Sequence, residues 1–193
     1  MADYGKARVL DEAELRRLRN EAVSGKYGLR NVCIVDFSYL CGLRSKEISA
    51  LKISNVVGAD ESIKDSFHLD RDNTKGDRGR TVYLSNKGLR KRLQAYIDSR
   101  DTGCVDSGTM LFKSQKKSFC SQSIQNLFRK LYGDAGLEGC SSHSGRRTFA
   151  TNLIMKGYDI KSVSVLMGHS SIQMTSKYIQ ENPVVMSDMV ASL

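Results

Sequence analysis

Tryptophan is absent from this 193-residue chain, and proline occurs once, at Pro183. No apolar run is long. The stretch Val32 to Val35 ends at Asp36, far short of the ~20 residues a membrane-spanning helix needs. The opening Met-Ala-Asp-Tyr-Gly-Lys has no apolar signal core, so nothing in it directs export. Internal repeats, low-complexity tracts and Pro/Gly linkers are missing too, which argues against solenoids and strings of small modules. The five cysteines form no C-x-x-C pair and are odd in number, which suits reduced cytosolic thiols better than a disulfide frame or a zinc site. Only His68, His143 and His169 are present, none spaced i, i+4 from another. No metal site and no cofactor are expected.

What the chain does have is positive charge: 30 Lys and Arg against 21 Asp and Glu, a net +9. Such an excess says little about fold and much about partners, and a polyanion is the default. The charge is clustered. Arg71, Lys75, Arg78, Arg80, Lys87, Arg90, Lys91, Arg92 and Arg100 face only Asp72, Asp77 and Asp98 within the same stretch. A second cluster, Lys113, Lys116, Lys117, Arg129 and Lys130, contains no acidic residue. Each lysine alone reads as a solvated surface group, but two clusters together suit phosphate contact.

With 40% hydrophobic residues and a length typical of one domain, the chain needs no staples to bury a core. Asp11 with Glu14 three residues on forms a capping box ahead of Leu15 and Leu18, and so predicts a helix start. A largely buried helix is expected over about 29–40, ended by Gly42, followed by a short helix carrying Arg44, Glu47, Ile48 and Leu51. From 52 to 85 the helical period fails. Ile53, Val56 and Val57, then Phe67 and Leu69, then Val82 and Leu84 read as short strands, with hairpin-tip composition in Asn73-Thr74-Lys75-Gly76-Asp77-Arg78-Gly79. Helices resume near 87–100, 121–132, 143–155, 160–167 and 171–179, and Asn182-Pro183 caps a last short one. The expected fold class is α+β: a mostly helical single domain over 1–193 with one small antiparallel sheet.

The most informative segments are His143-Ser-Gly-Arg146-Arg147, Met167-Gly168-His169 and Lys177-Tyr178. His143 and Arg146, three apart, share a helix face. Gly168-His169 reads as a helix end followed by a tight turn. Tyr178 comes nine residues later, where position alone also suits a core-facing tyrosine.

Together with Arg44-Ser-Lys-Glu47 and Thr74-Lys75-Gly76, these segments resemble the catalytic domain of tyrosine recombinases, the phage-integrase family of DNA strand-exchange enzymes. The family's ordered set is Arg, Lys, His-x-x-Arg, His or Trp, and Tyr. Here Arg44, Lys75, His143, Arg146, His169 and Tyr178 fill it in order. Arg147 stands where many relatives have His, and Gly145 where an apolar residue is common, which touches local packing and removes no reacting group. Most relatives carry a separate N-terminal DNA-clamping (core-binding) domain, absent here, so the chain resembles either the short recombinases or a piece of a longer enzyme.

The resemblance implies metal-free transesterification at a DNA phosphodiester. Tyr178 would attack phosphorus, giving a 3′-phosphotyrosyl link and a free 5′-hydroxyl; a phenol of pKa about 10 needs activation. Arg44 and Arg146 would hold the nonbridging oxygens as permanently charged forks. Lys75 would protonate the leaving 5′-oxygen, His143 would take the tyrosine proton, and His169 would donate to the phosphate. Glu47 would orient Arg44 or a histidine. Arg71, Arg78, Arg80, Lys116, Lys117, Arg147 and Lys177 are candidate DNA contacts. The implied partners are double-stranded DNA, further copies of the chain (a dimer per site, a tetramer across two sites) and accessory DNA-bending proteins. A tail over 180–193 would dock on a neighbouring protomer, and the protein would act in the cytoplasm, on the nucleoid. A type IB topoisomerase-like nicking-closing enzyme shares the chemistry, and a DNA-binding regulator shares the fold; strand exchange between two sites and the need for Tyr178 separate these readings.

Overall fold

Local signals in the sequence set the start of the first helix and the end of the second. The computed structural model describes residues 7–70, 79–100, 108–114 and 118–176. The Asp11 carboxylate accepts from the Glu14 N–H at 2.8 Å, and Glu14 accepts from the Asp11 N–H at 3.2 Å. This reciprocal cap starts helix α1 (Glu12–Ser24). Helix α2 (Gly28–Cys41) is the apolar segment, with ten of its fourteen residues buried. Its run does not stop at Asp36, because Phe37, Ser38 and Tyr39 are buried as well. Gly42, left-handed at φ 65°, ends it.

Helices α3 (Ser45–Ala50), α5 (Lys87–Asp98), α6 (Ser121–Asp134), α7 (Ser144–Met155) and α8 (Ile160–Met167) fall close to their expected positions. One expectation fails: Ile53–Val56 is a single helical turn, α4, not a strand. The Asn55 side chain accepts from the Lys52 N–H at 2.8 Å, and this local cap outweighs the β-branched content. Phe67 and Leu69 lie on β1 (Ser66–Leu69) and Val82 on β2 (Arg80–Tyr83). The two strands pair antiparallel, with Phe67 opposite Val82 and Leu69 opposite Arg80. Among the described residues this is the whole sheet, so the fold is mostly helical α+β as expected. The turn α9 (Gln173–Ser176) closes the described chain; the helix expected after Pro183 lies outside the described residues. No described helix is long and apolar enough to cross a membrane.

Helix α2 is the axis, packed on one another side by α1, α5 and α7. Inside this bundle the buried Asp36 carboxylate accepts from Arg19 of α1 at 2.8 Å and from Arg92 of α5. A carboxylate in this setting is tolerable only because it is paired. Phe37, Phe112 and Tyr96 pack ring on ring, with centroids 5.9 and 5.6 Å apart. A smaller apolar cluster, Ala150, Val163 and Met167 with Phe149 and Leu153 against it, joins α7 to α8. At α7 the departure at Gly145 has a steric reason: a Cβ there would lie 2.8 Å from Ser38 Cβ and 2.9 Å from the Tyr39 ring. The missing side chain lets α7 lie directly on α2.

Candidate active site

The α7–α2 contact brings Arg146 to a point where two helices end. Its guanidinium is buried and donates to the Gly42 carbonyl at 2.6 Å and to the Met167 carbonyl. Those carbonyls lie at the C-termini of α2 and α8, where helix dipoles concentrate partial negative charge. A permanently charged side chain is thus held in the interior with its donors aimed, and its charge reaches the Glu47 carboxylate.

Arg44 precedes α3, next to that point. Glu47, fully sealed at its side chain, accepts from the Arg44 backbone N–H at 2.8 Å and from Arg44 Nη1 at 3.1 Å. Glu47 thus holds Arg44 by both its backbone and its side chain. The same carboxylate also receives Arg80 as a fork, Nη1 to Oε1 at 2.8 Å and Nη2 to Oε2 at 2.9 Å. Burial alone would raise the Glu47 pKa. The Arg80 hydrogen bonds and charge, with Arg146 and the Arg44 N–H, outweigh it and hold the carboxyl below its ordinary value.

Arg80 is the clear correction to the DNA-contact set. Its side chain is 3% exposed and both Nη groups are spent on Glu47, so it faces the interior and not a DNA surface. The strand pattern contained the signal. Val82 is buried and side chains alternate along β2, so Arg80 has to point the same way as Val82. Arg147 is half-buried and donates to the Ala7 carbonyl at 3.0 Å. It ties the segment before α1 onto α7, beside the bond from the Leu10 N–H to Thr148 Oγ1.

The two histidines sit in the field of these arginines. His143 is the residue before α7 and is exposed. Partial desolvation first, then Arg146 and Arg44, lower its pKa from the ordinary 6.5. His169 follows Gly168, left-handed at φ 62°, at the end of α8. Desolvation, then Arg146, Arg44 and Arg80, push its pKa down to about 3, with Glu47 opposing. Both rings are therefore neutral at pH 7, one ring nitrogen accepting and the other donating. Thr175 Oγ1, fully buried, lies 2.7 Å from His169 Nδ1. Sequence reasoning did not find Thr175; six residues past His169 within a turn, it carries no motif. If the hydroxyl donates to Nδ1, the proton sits on Nε2 and that nitrogen is the donor.

Of the ordered set, Arg44, His143, Arg146 and His169, with Glu47, meet where α2, α3, α7 and α8 converge. Lys75 and Tyr178 lie outside the described residues, as do Arg71, Arg78, Lys116, Lys117, Lys177 and the tail 180–193. Lys113, the first residue of the second basic cluster, lies away from this site. Lys113 lines a groove of about 650 Å³ with Lys26, Tyr27, Arg30 and Arg100, beside the start of α2. The fourteen residues of α2 put it about 21 Å from the arginines.

Comparison with known proteins places this fold in a class. Residues 8–184 match the family model described as the phage integrase family; the chain belongs to that family. Among its relatives is tyrosine recombinase XerC of Chlamydia muridarum (strain MoPn / Nigg), 31% identical over 154 residues, covering 78% of this chain and 46% of the relative. A tyrosine recombinase of Pseudothermotoga lettingae is 32% identical over 151 residues, covering 78% and 49%. The chain thus spans about half the length of the curated relatives it matches. The crystal structure of XerA recombinase superimposes with a TM-score of 0.78 at 29% identity, over 96% of this chain and 64% of that one. The catalytic domain of bacteriophage HP1 integrase shares the fold over 96% of this chain and 95% of its own, with a TM-score of 0.66 and 23% identity.

Proposed function

We propose that the chain is the catalytic portion of a site-specific DNA recombinase that cleaves and rejoins strands through a 3′-phosphotyrosyl intermediate. The observation that carries this reading is the convergence of Arg44 and Arg146 with His143 and His169 at one point of the fold. Two guanidiniums there answer the charge that builds on the nonbridging oxygens of a pentavalent phosphorus. Arg146 is aimed by two helix-end carbonyls and Arg44 by Glu47, so little reorganisation is needed as charge develops. His143, its pKa depressed, is unprotonated at pH 7 and competent to take the phenol proton of Tyr178. His169, backed by Thr175, donates from Nε2 to a phosphate oxygen. Lys75, five residues before β2, protonates the departing 5′-oxygen. Bond energy stays in the phosphotyrosyl link, and the returning hydroxyl reverses the step.

Double-stranded DNA is the partner this chemistry requires, and the net charge of +9 suits it. Among fold neighbours, XerH was solved bound to a palindromic difH substrate in a post-cleavage complex, and the Tn1549 transposon integrase in complex with circular intermediate DNA. Exchange between two sites calls for several copies of the chain on DNA. The test is to incubate nicked duplexes with a randomised central sequence with wild type and Tyr178→Phe, then separate the products on denaturing gels. A slow-moving protein–DNA adduct from wild type alone is the expected result. Equal adduct from the variant rejects Tyr178 as nucleophile, and binding without any adduct from wild type favours a DNA-binding regulator.

A further inference from the structure

Arg80 lies where two parts of the described site meet, the Arg44–Glu47 turn and the turn before His169. It opens β2, five residues after Lys75 in the sequence. Its fork holds both oxygens of Glu47, and Glu47 holds the backbone and side chain of Arg44. On its other flank it packs against the turn before His169: a Cβ at Gly168 would lie 2.9 Å from Arg80 Cδ and 3.0 Å from Nη1. Only a glycine, already in the left-handed region, admits the arginine there.

A buried ion pair is weak evidence for stability, since apolar residues of similar volume often serve as well. A paired fork does what apolar contacts do not: it fixes the rotation of the carboxylate plane. With both oxygens gripped from the Arg80 side, Glu47 presents its remaining lone pairs to Arg44 in one direction. Arg44, 25% exposed at its side chain where Arg80 is 3% exposed, is the member of the trio that reaches the open side. Lysine could supply charge at position 80, but not two parallel donors.

We infer that Arg80 is a positioning residue of this site, setting the pose of Arg44 through the shared Glu47 carboxylate and the backbone of the His169 turn through its packing on Gly168. The inference rests on the recombinase reading. It ties β2 to both the Arg44 turn and the His169 turn, so that displacement of one displaces the other.

The test is a double-mutant cycle of Arg80→Lys, Glu47→Gln and the double variant, each checked for folding by thermal melting. Single-turnover adduct formation is then measured on nicked duplexes with a randomised central sequence. Each single change is expected to slow adduct formation by about tenfold or more. The double variant is expected to be no slower than the slower single, because both changes break one link. Losses that multiply, or an Arg80→Lys rate within about twofold of wild type, overturn the inference. A purely structural Arg80 would lower the melting temperature and leave the rate per folded molecule unchanged. If wild type forms no adduct, the recombinase reading fails, and nitrogen NMR of the Arg44 Nε–H decides the link. A shift of that signal in Arg80→Lys supports the coupling, and an unmoved signal overturns it.

Discussion

Two buried carboxylates in this molecule are each held by two arginines, yet they do different work. Asp36 lies in the middle of α2 and is gripped by Arg19 from α1 and Arg92 from α5. Its arginines are 26% and 31% exposed, both on the outer surface of the bundle. Neither is among the groups that shift a histidine's pKa. Glu47 lies at the start of α3, with one arginine sealed and the other opening toward the site. Its surroundings include two helix C-termini, a third arginine and His169. The contacts are chemically alike. What separates a clamp from a site is that in the second a third arginine, Arg146, acts on the same carboxylate and the cations remain aimed at one place.

The largest expected effect falls on the site side of this comparison. Arg146→Lys keeps the charge but loses the fork that spans the two carbonyls. It should slow adduct formation by about 10²–10³-fold with DNA affinity little changed, measurable by single-turnover gels and a binding titration. On the clamp side, Asp36→Ala strands two arginines and should cost about 3 kcal/mol of stability in denaturant melts, with the adduct rate per folded molecule unchanged. If Asp36→Ala instead slows the chemistry while the fold stays intact, the distinction between clamp and site fails. Gly145→Ala pushes a methyl into Ser38 and Tyr39, and should destabilise by about 1–3 kcal/mol, read from the same melts.

A smaller effect follows from pH. Below 6.5 the unfolded chain takes up protons that His169 and His143 refuse in the folded state. Their contribution to stability is thus complete above about pH 6.5 and declines as pH falls, for His169 down toward about 3. Glu47, also depressed, adds loss of the same sign below the ordinary glutamate range. Melting temperature should therefore fall on acidification, and His169→Gln should flatten that slope between pH 6.5 and 4. For activity, the acid limb governed by His143 should lie below pH 6.5. Least of all, Lys130→Ala, which removes an exposed pair with Asp134, should leave the melting curve unmoved.

Much of this arrangement is legible in the chain itself. The capping box at Asp11, the apolar run of α2 and the Gly ends of α2 and α8 are local signals, and local structure follows them. Pairing between distant segments has no such signal. Asp36 reads as the end of an apolar run because nothing near it names Arg19 or Arg92, 17 and 56 residues away. Arg80 reads as one more cation in a basic stretch because Glu47 is 33 residues off. Ile53–Val56 is misread for the opposite reason: four residues are too few for composition to outweigh one side-chain cap. Thr175 is silent because a hydroxyl acquires its role only once the turn brings it to His169.

The central claim is that the reacting atom is the Tyr178 phenolic oxygen, and the chain has eight tyrosines from which to choose. Tyr83 and Tyr158, at 56% and 59% exposure, are the natural competitors among the described residues. The most direct measurement is mass spectrometry of a trypsin- and nuclease-digested adduct, locating the residue that carries the 3′-linked nucleotide. The account predicts a single modified peptide, with the nucleotide on Tyr178. A nucleotide on Tyr158, Tyr83 or any other side chain would contradict it.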